Sequence, residues 1–179
     1  MKDLLEILAA MTAKRPEVES PKELYLDIAE RVVKSASAAF GAKADEVAIL
    51  VVTTDGKHLR FVSPRKFSEL GTIPVTKRDS IAVNILGRKA GEAINNVPMV
   101  KHVAFFESVK LRDRPVPIQK MITVPIMHEG EAIGVAQISR KGESPGEAGP
   151  DFSAADVRKA EEFFREVAPY LVRARPERF

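Results

Sequence analysis

The chain contains no cysteine and no tryptophan, and only 2 tyrosines in 179 residues. The missing cysteine excludes disulfides, thiolate nucleophiles, zinc–thiolate centres and thioether-linked cofactors. No apolar run approaches the roughly 18–20 residues that cross a bilayer, so no membrane partner is expected. The opening Met-Lys-Asp-Leu-Leu-Glu places acids inside its apolar stretch, which does not fit a secretory leader, and a cytoplasmic location is expected. The three histidines, His58, His102 and His128, show no metal-ligand spacing with one another or with acids. Gly-x-Ser-x-Gly elbows and Gly-rich phosphate loops are missing too. Neither a metal, a cofactor nor an enzymatic activity is therefore expected. Scarce aromatics also argue against nucleic acid, because stacking platforms interleave aromatic with basic side chains. The basic middle of this chain has one aromatic pair, Phe105–Phe106.

What is present is a composition 45% hydrophobic and 30% charged, suited to one globular domain with a real core. The net charge of +3 hides an uneven distribution. Residues 57–120 hold 13 basic and 5 acidic side chains, whereas the segments before and after are each net acidic. Arg forks and Lys point charges are what anionic ligands require. Solvated loop cations that oppose aggregation are the equally weighted alternative.

Leu4, Leu5, Leu8 and Met11 predict a helix over 1–14, and Pro16 breaks it. Ser20-Pro21-Lys22-Glu23 predicts a second start, with Ser20 as cap, Pro21 in the first turn and Glu23 completing a capping box. Apolar residues at four-residue spacing from Leu24 to Phe40 continue that helix, and Gly41 stops it. Two β-prone runs, 47–53 and 57–63, flank Thr54-Asp55-Gly56, a hairpin signal. Thr72–Val75 predicts a short strand that Pro74 confines to an edge or a bulge. Ser80 is expected to cap a short helix ending at Gly87. Glu92–Val97 predicts a strand, 99–109 a weak helix and 110–117 a charged loop. After a flexible loop over 142–150, Ser153 and Asp156 predict the cap of a last helix, which Pro169 is expected to kink or fray.

The most informative stretch is Met121–Lys141. Runs over 121–127 and 132–139 flank His128-Glu129-Gly130-Glu131 and predict a hairpin. Gly134 inside the second run predicts a bulge or a close approach of another backbone. The strand ending in Val-Pro, the acidic turn with Gly, the Ile-Gly-Val-Ala-Gln-Ile run and the pair Arg140-Lys141 together resemble the last hairpin of a GAF domain of the bacterial signalling type. Asp151-Phe152-Ser153 with Asp156, opening the last helix, adds to a resemblance that spans roughly 21–172. It implies an α+β, GAF-like fold related to PAS and profilin. Such a fold has an antiparallel β-sheet with its N- and C-terminal helices packed on one face and short helices and loops on the other. The expected organisation is a helical extension over 1–19, one domain over 20–174 and a tail over 175–179.

In GAF domains the ligand pocket lies between the sheet and the middle segment. The resemblance thus implies Asn95, Lys101, His102, Phe105, Lys110, Lys120 and Arg140 as candidate ligand-binding residues, for their polarity or aromaticity in or beside that region. The expected function is non-enzymatic sensing of an unidentified small molecule, an anion among the candidates. Its signal would pass through a homodimer built on the terminal helices, or to a separate signalling protein. The alternative is a dimerisation or scaffolding module whose pocket is filled by its own Met99, Phe105 or Phe106. GAF domains that bind cyclic nucleotides carry an Asn-Lys and Phe-Asp-Glu signature. This chain has Arg140-Lys141, then Phe152 and Asp156, so that ligand is not implied. Cysteine-dependent reduction of methionine sulfoxide and bilin attachment, known in other GAF-like proteins, have no cysteine to use here.

Overall fold

The computed structural model describes residues 1–67, 71–100, 116–177 and 179. The helical spacing at the N-terminus becomes α1 (Lys2–Ala13), which buries Leu4 and Leu8. Helix α2 (Pro21–Phe40) starts at Ser20, whose Oγ accepts the Glu23 N–H at 3.3 Å, and ends at Gly41 with φ 61°. The other half of the expected capping box is not made. The Glu23 carboxylate instead accepts from Arg65 at 2.8 Å, beside Asp27 and Glu30 on the same helix face. A guanidinium is a stronger partner for a carboxylate than a backbone N–H, and it wins.

The hairpin signals produce β1 (Val47–Val52) and β2 (His58–Ser63), followed by β3 (Thr72–Pro74). Helix α3 (Ile81–Arg88) is capped by Ser80 as expected, but it runs through Gly87 and stops at Lys89, φ 54°. Lys89 is held in that left-handed conformation while its Nζ reaches Gly130 O and Glu131, each at 3.0 Å. Strand β4 (Glu92–Ile94) is shorter than expected and gives way to a single 3-10 turn, Val97–Met99. The helix and loop expected over 99–117 lie almost wholly outside the described residues.

Strands β5 (Ile118–His128) and β6 (Glu131–Lys141) extend the expected hairpin at both ends. Their turn is Glu129–Gly130 alone, both with positive φ, the handedness that suits the twist of a two-residue hairpin. At Gly134 both sequence expectations hold. The register slips between Ile126 and Met127 opposite it, and a Cβ there would lie 2.2 Å from Leu50 O of β1. The sheet order is β3-β2-β1-β6-β5-β4, with antiparallel pairings throughout, and the Pro74 strand sits at the edge.

Helix α4 (Ala154–Ala174) opens with a complete capping box. Ser153 Oγ accepts the Asp156 N–H at 3.2 Å, and Asp156 Oδ2 accepts the Ser153 N–H at 2.8 Å. Pro169 does not fray the helix, which continues to Ala174 with Leu171 and Ala174 beyond the proline buried. The bonds from the Ser153 backbone and then its hydroxyl hold the Asp156 carboxyl below its usual range. A lowered folded pKa contributes stability above the unfolded carboxyl value of about 4 and loses it as pH falls through the folded one. We expect Asp156→Asn to cost about 1 kcal/mol at pH 7, typical of a cap, and the difference to vanish in urea titrations near pH 2.

Alternation along the strands builds two cores. Val47, Ile49, Ile122, Val124, Ile126, Ala136 and Ile138 face α1, α2 and α4. Leu50, Phe61, Met121 and Val135 face the other way, onto α3 and Val97. Leu4, Leu8 and Phe179 belong to the first core, so the extension and the tail pack with the helices rather than apart from them. The tail is tied to the first hairpin, where Thr54 N–H donates to Phe179 O at 3.0 Å and Phe179 N–H donates to Thr54 Oγ1 at 3.1 Å.

Candidate functional site

The face of the sheet away from the long helices has a polar floor. Strand pairing places Glu92, Thr123, Gln137 and Ala48 in one row across β4, β5, β6 and β1. Thr123 is 1% exposed and Gln137 is 3% exposed. Gln137 Nε2 donates to Thr123 Oγ1 at 3.2 Å, while Gln137 Oε1 is buried and has no hydrogen-bond partner among the described residues. At the β4 end of the row, Glu92 pairs with Arg88 of α3 at 3.0 Å. One step along the hairpin, Ser139 Oγ donates to Glu46 O at 2.9 Å. Around these groups stand Leu50, Met121 and Val135 from the sheet and Ile81, Ala82, Val83 and Ile85 from α3. A floor of neutral hydrogen-bonding groups in apolar walls is what orients a small molecule. The signal for it was the period-two set Met121, Thr123 on one strand and Val135, Gln137, Ser139 on the other, which reasoning from charge passed over.

Three of the sequence-derived candidates are brought together, in a different place. Lys120 and Arg140 are cross-strand partners on the face shared with Ile122 and Ile138, and both reach the loop that leads into α4. Lys120, 5% exposed, donates to Gly149 O at 2.6 Å and pairs with Asp151 at 2.7 Å. Arg140 donates to Pro150 O and stacks over the Phe152 ring with its guanidinium carbon 4.1 Å from the centroid. Asn95 bonds the Phe152 backbone twice, donating to its carbonyl at 2.9 Å and accepting from its N–H at 2.8 Å. Lys101, His102, Phe105 and Lys110 lie outside the described residues. Met99, a candidate plug, is 77% exposed.

Shifted titratable groups are each explained by local structure. Burial pushes the Tyr25 phenol up in the first core. Hydrogen bonds from the Thr53 hydroxyl and then the Lys57 backbone lower Asp55 in the first hairpin turn, and the Glu23 bond raises Arg65. These groups do not converge on a common cleft. An open groove of about 670 Å³ lies beside the tail, lined by Asp55, His58, Arg60 and Phe179 among others. Among the described residues no cluster of His, Asp or Glu could hold a metal ion, and no helix is long and apolar enough to cross a membrane.

The GAF domain family model matches residues 25–171, most of the chain. The chain belongs to the GAF family. GAF domains are generally regulatory, ligand-sensing modules. The GAF domain of the phosphoenolpyruvate-protein phosphotransferase from Acinetobacter is similar in structure, with a TM-score of 0.63 at 13% identity, covering 95% of this chain and 93% of that one. Its counterpart from Coxiella burnetii also has a TM-score of 0.63 at 13% identity, covering 96% and 94%. The type II free methionine-R-sulfoxide reductase of Thermoplasma acidophilum has a TM-score of 0.57 at 17% identity, covering 85% and 95%. At these identities the likeness is one of fold. Among curated proteins none matches. The GAF sheet order places the long helices on one face and the polar floor on the other.

Proposed function

We propose that this GAF domain is a non-enzymatic, cytoplasmic sensor that binds a small molecule against the sheet face opposite its long helices. The observation that carries the reading is the Thr123–Gln137 floor, a buried hydrogen-bonding pair set among apolar side chains. A core that only needed filling would be cheaper with apolar residues at both positions, since burying polar groups costs free energy unless all are paired. An anionic part of the ligand has Lys101, His102 and Lys110 as its candidate partners, with Phe105 as an aromatic contact. Asn95, Lys120 and Arg140 enter the proposal as the residues that set the loop before α4. The exposure of Met99 favours this reading over a pocket plugged by its own side chains. With no cysteine, the thiol chemistry of a reductase is not available.

Signal output is assigned to a homodimer built on α1 and α4, or to a separate signalling protein. Ile7 on α1 and Val172 on α4 are exposed apolar positions on those helices. The test is native mass spectrometry of the purified protein beside its denatured mass. The expected result is twice the chain mass plus a small-molecule adduct. A clean dimer without adduct, even after incubation with small-molecule extract, would favour the scaffolding reading. A monomer by light scattering at tens of micromolar would remove dimerisation.

A further inference from the structure

Strand β4 is an edge strand, paired over Glu92–Ile94 with β5 and, among the described residues, with no other strand. Its alternation divides it between the two layers of the fold. Gly91, Ala93 and Asn95 face the long helices. Ala93 packs on the first core, Gly91 bonds α4, and Asn95 bonds the residue that leads into α4. Glu92 and Ile94 face α3, Glu92 through Arg88 at 3.0 Å and Ile94 by packing on the second core. Val97, just beyond Asn95, is fully buried in that second core.

Both ends of β4 are fastened to the start of α4. Glu161 Oε1 accepts the Gly91 N–H at 2.7 Å. A Cβ at Gly91 would lie 2.8 Å from a methyl of Val124 and 3.0 Å from both Val157 and Glu161, so the strand rests directly on the helix. At the other end Asn95 donates to the Phe152 carbonyl at 2.9 Å and accepts its N–H at 2.8 Å. Exchanging the Asn95 amide atoms would lose both bonds, so its orientation is fixed by the backbone it meets. The lengths match as well. Gly91 to Asn95 spans about 13 Å at a strand rise of about 3.3 Å per residue. Phe152 to Glu161 spans about 13.5 Å at a helical rise of about 1.5 Å. Strand and helix are therefore antiparallel splints tied at both ends. A slide of β4 along α4 by one residue would break both ties together.

We propose that β4 is a coupling strand: tied at both ends to the start of α4 and packed on its other face against α3 and the Val97 core, it moves as one body, so that a displacement in the second core changes how α4 begins. Small sliding of packed elements is a known form of such a transition. The coupling gives the sensor reading above a route between the two faces of the sheet, and it rests on that reading only for its signalling meaning.

The test is native-state hydrogen exchange of the full chain, read at the Gly91 and Phe152 amides that the two ties protect. The change in global stability of each variant, from urea unfolding, is subtracted. Glu161→Ala is expected to speed exchange at Phe152, and Asn95→Ala to speed it at Gly91. Each far-end effect should be at least about tenfold beyond the global change, the worth of the hydrogen bond removed. Glu161→Gln keeps an acceptor and should leave the Phe152 rate within about twofold of the unsubstituted protein. Val97→Ala, on the α3 side, should speed both amides beyond the global change. Ile73→Ala is its control, since Ile73 lies in the same core but on β3 at the far edge, and both amides should then follow global stability alone. Should Val97→Ala not fold, Ile94→Val loosens the same packing more mildly and is read in the same way. Far-end amides that follow global stability alone in Glu161→Ala and Asn95→Ala would mean independent ties and overturn the proposal. Coupled ends that ignore the substitution on the α3 side would overturn it too. No ligand enters these measurements, so either failure leaves the sensor reading standing, and a protein that binds no small molecule would leave the coupling standing.

Discussion

Gly134→Ala is expected to lower the stability of the protein by about 3 kcal/mol, the upper part of the range for overpacked cores. The added Cβ would meet backbone rather than a side chain that can turn away: Leu50 O at 2.2 Å and Val51 Cα at 3.0 Å. Gly134 pairs with Val51 on one side and Ile126 on the other, at the centre of the six-stranded sheet. Relief requires β1 and β6 to part, and that disturbs both cores at once. Ile49 sits opposite Ala136 for the helix face, and Leu50 opposite Val135 for the other. Gly91→Ala provides a graded comparison, since its nearest contact is a methyl of Val124 at 2.8 Å. A side chain can shift where a carbonyl in a ladder cannot, so the smaller loss belongs to Gly91. Urea unfolding of both variants measures the difference. A loss below about 1 kcal/mol for Gly134→Ala would mean that the central strands separate at little cost.

Asn95→Ala should cost about 2 kcal/mol, because it strands a backbone N–H and a backbone carbonyl of the buried Phe152 together. Those two bonds, with Lys120 on Gly149 O and Arg140 over the Phe152 ring, hold the loop from which α4 begins. Asn95→Asp keeps the acceptor for the Phe152 N–H but sets a second acceptor oxygen against the Phe152 carbonyl, so it should recover part of the loss only at acidic pH, where the carboxyl is protonated and can donate. Unfolding experiments give the energies, and hydrogen exchange at the Phe152 amide reports the local effect. The amide should exchange faster in Asn95→Ala than the change in global stability explains. Unchanged exchange would mean that the loop is held by its other contacts. A loosened loop would free the start of α4.

Much of the architecture was legible in local patterns. Ser20 and Gly41 bounded α2, Ser153 and Asp156 opened α4, and Pro74 placed its strand at an edge. Gly134 announced the close approach of β1 before any partner strand was known. Each of these signals acts within one turn of helix or one strand, where the residue's own backbone preference decides the outcome. Local reasoning failed where a remote group competed. Glu23 was suited to a capping box, but Arg65 took its carboxylate from 42 residues away.

The candidate site shows the same division more sharply. The excess of basic residues over 57–120 was real, yet charge counting carries no information about strand parity or sheet order. Lys120 and Arg140 were chosen for a ligand-binding face and lie on the helix face, bonded to a loop 10–31 residues further along the chain. The sequence by itself determined most of the elements and the hairpin, because periodicity, caps and turns are short-range properties of the chain, and its resemblance to GAF domains implied the fold. Only the tertiary structure decided which polar groups meet. It set Thr123 against Gln137, because hydrogen-bond partnership is fixed by register between strands and by what packs across the sheet.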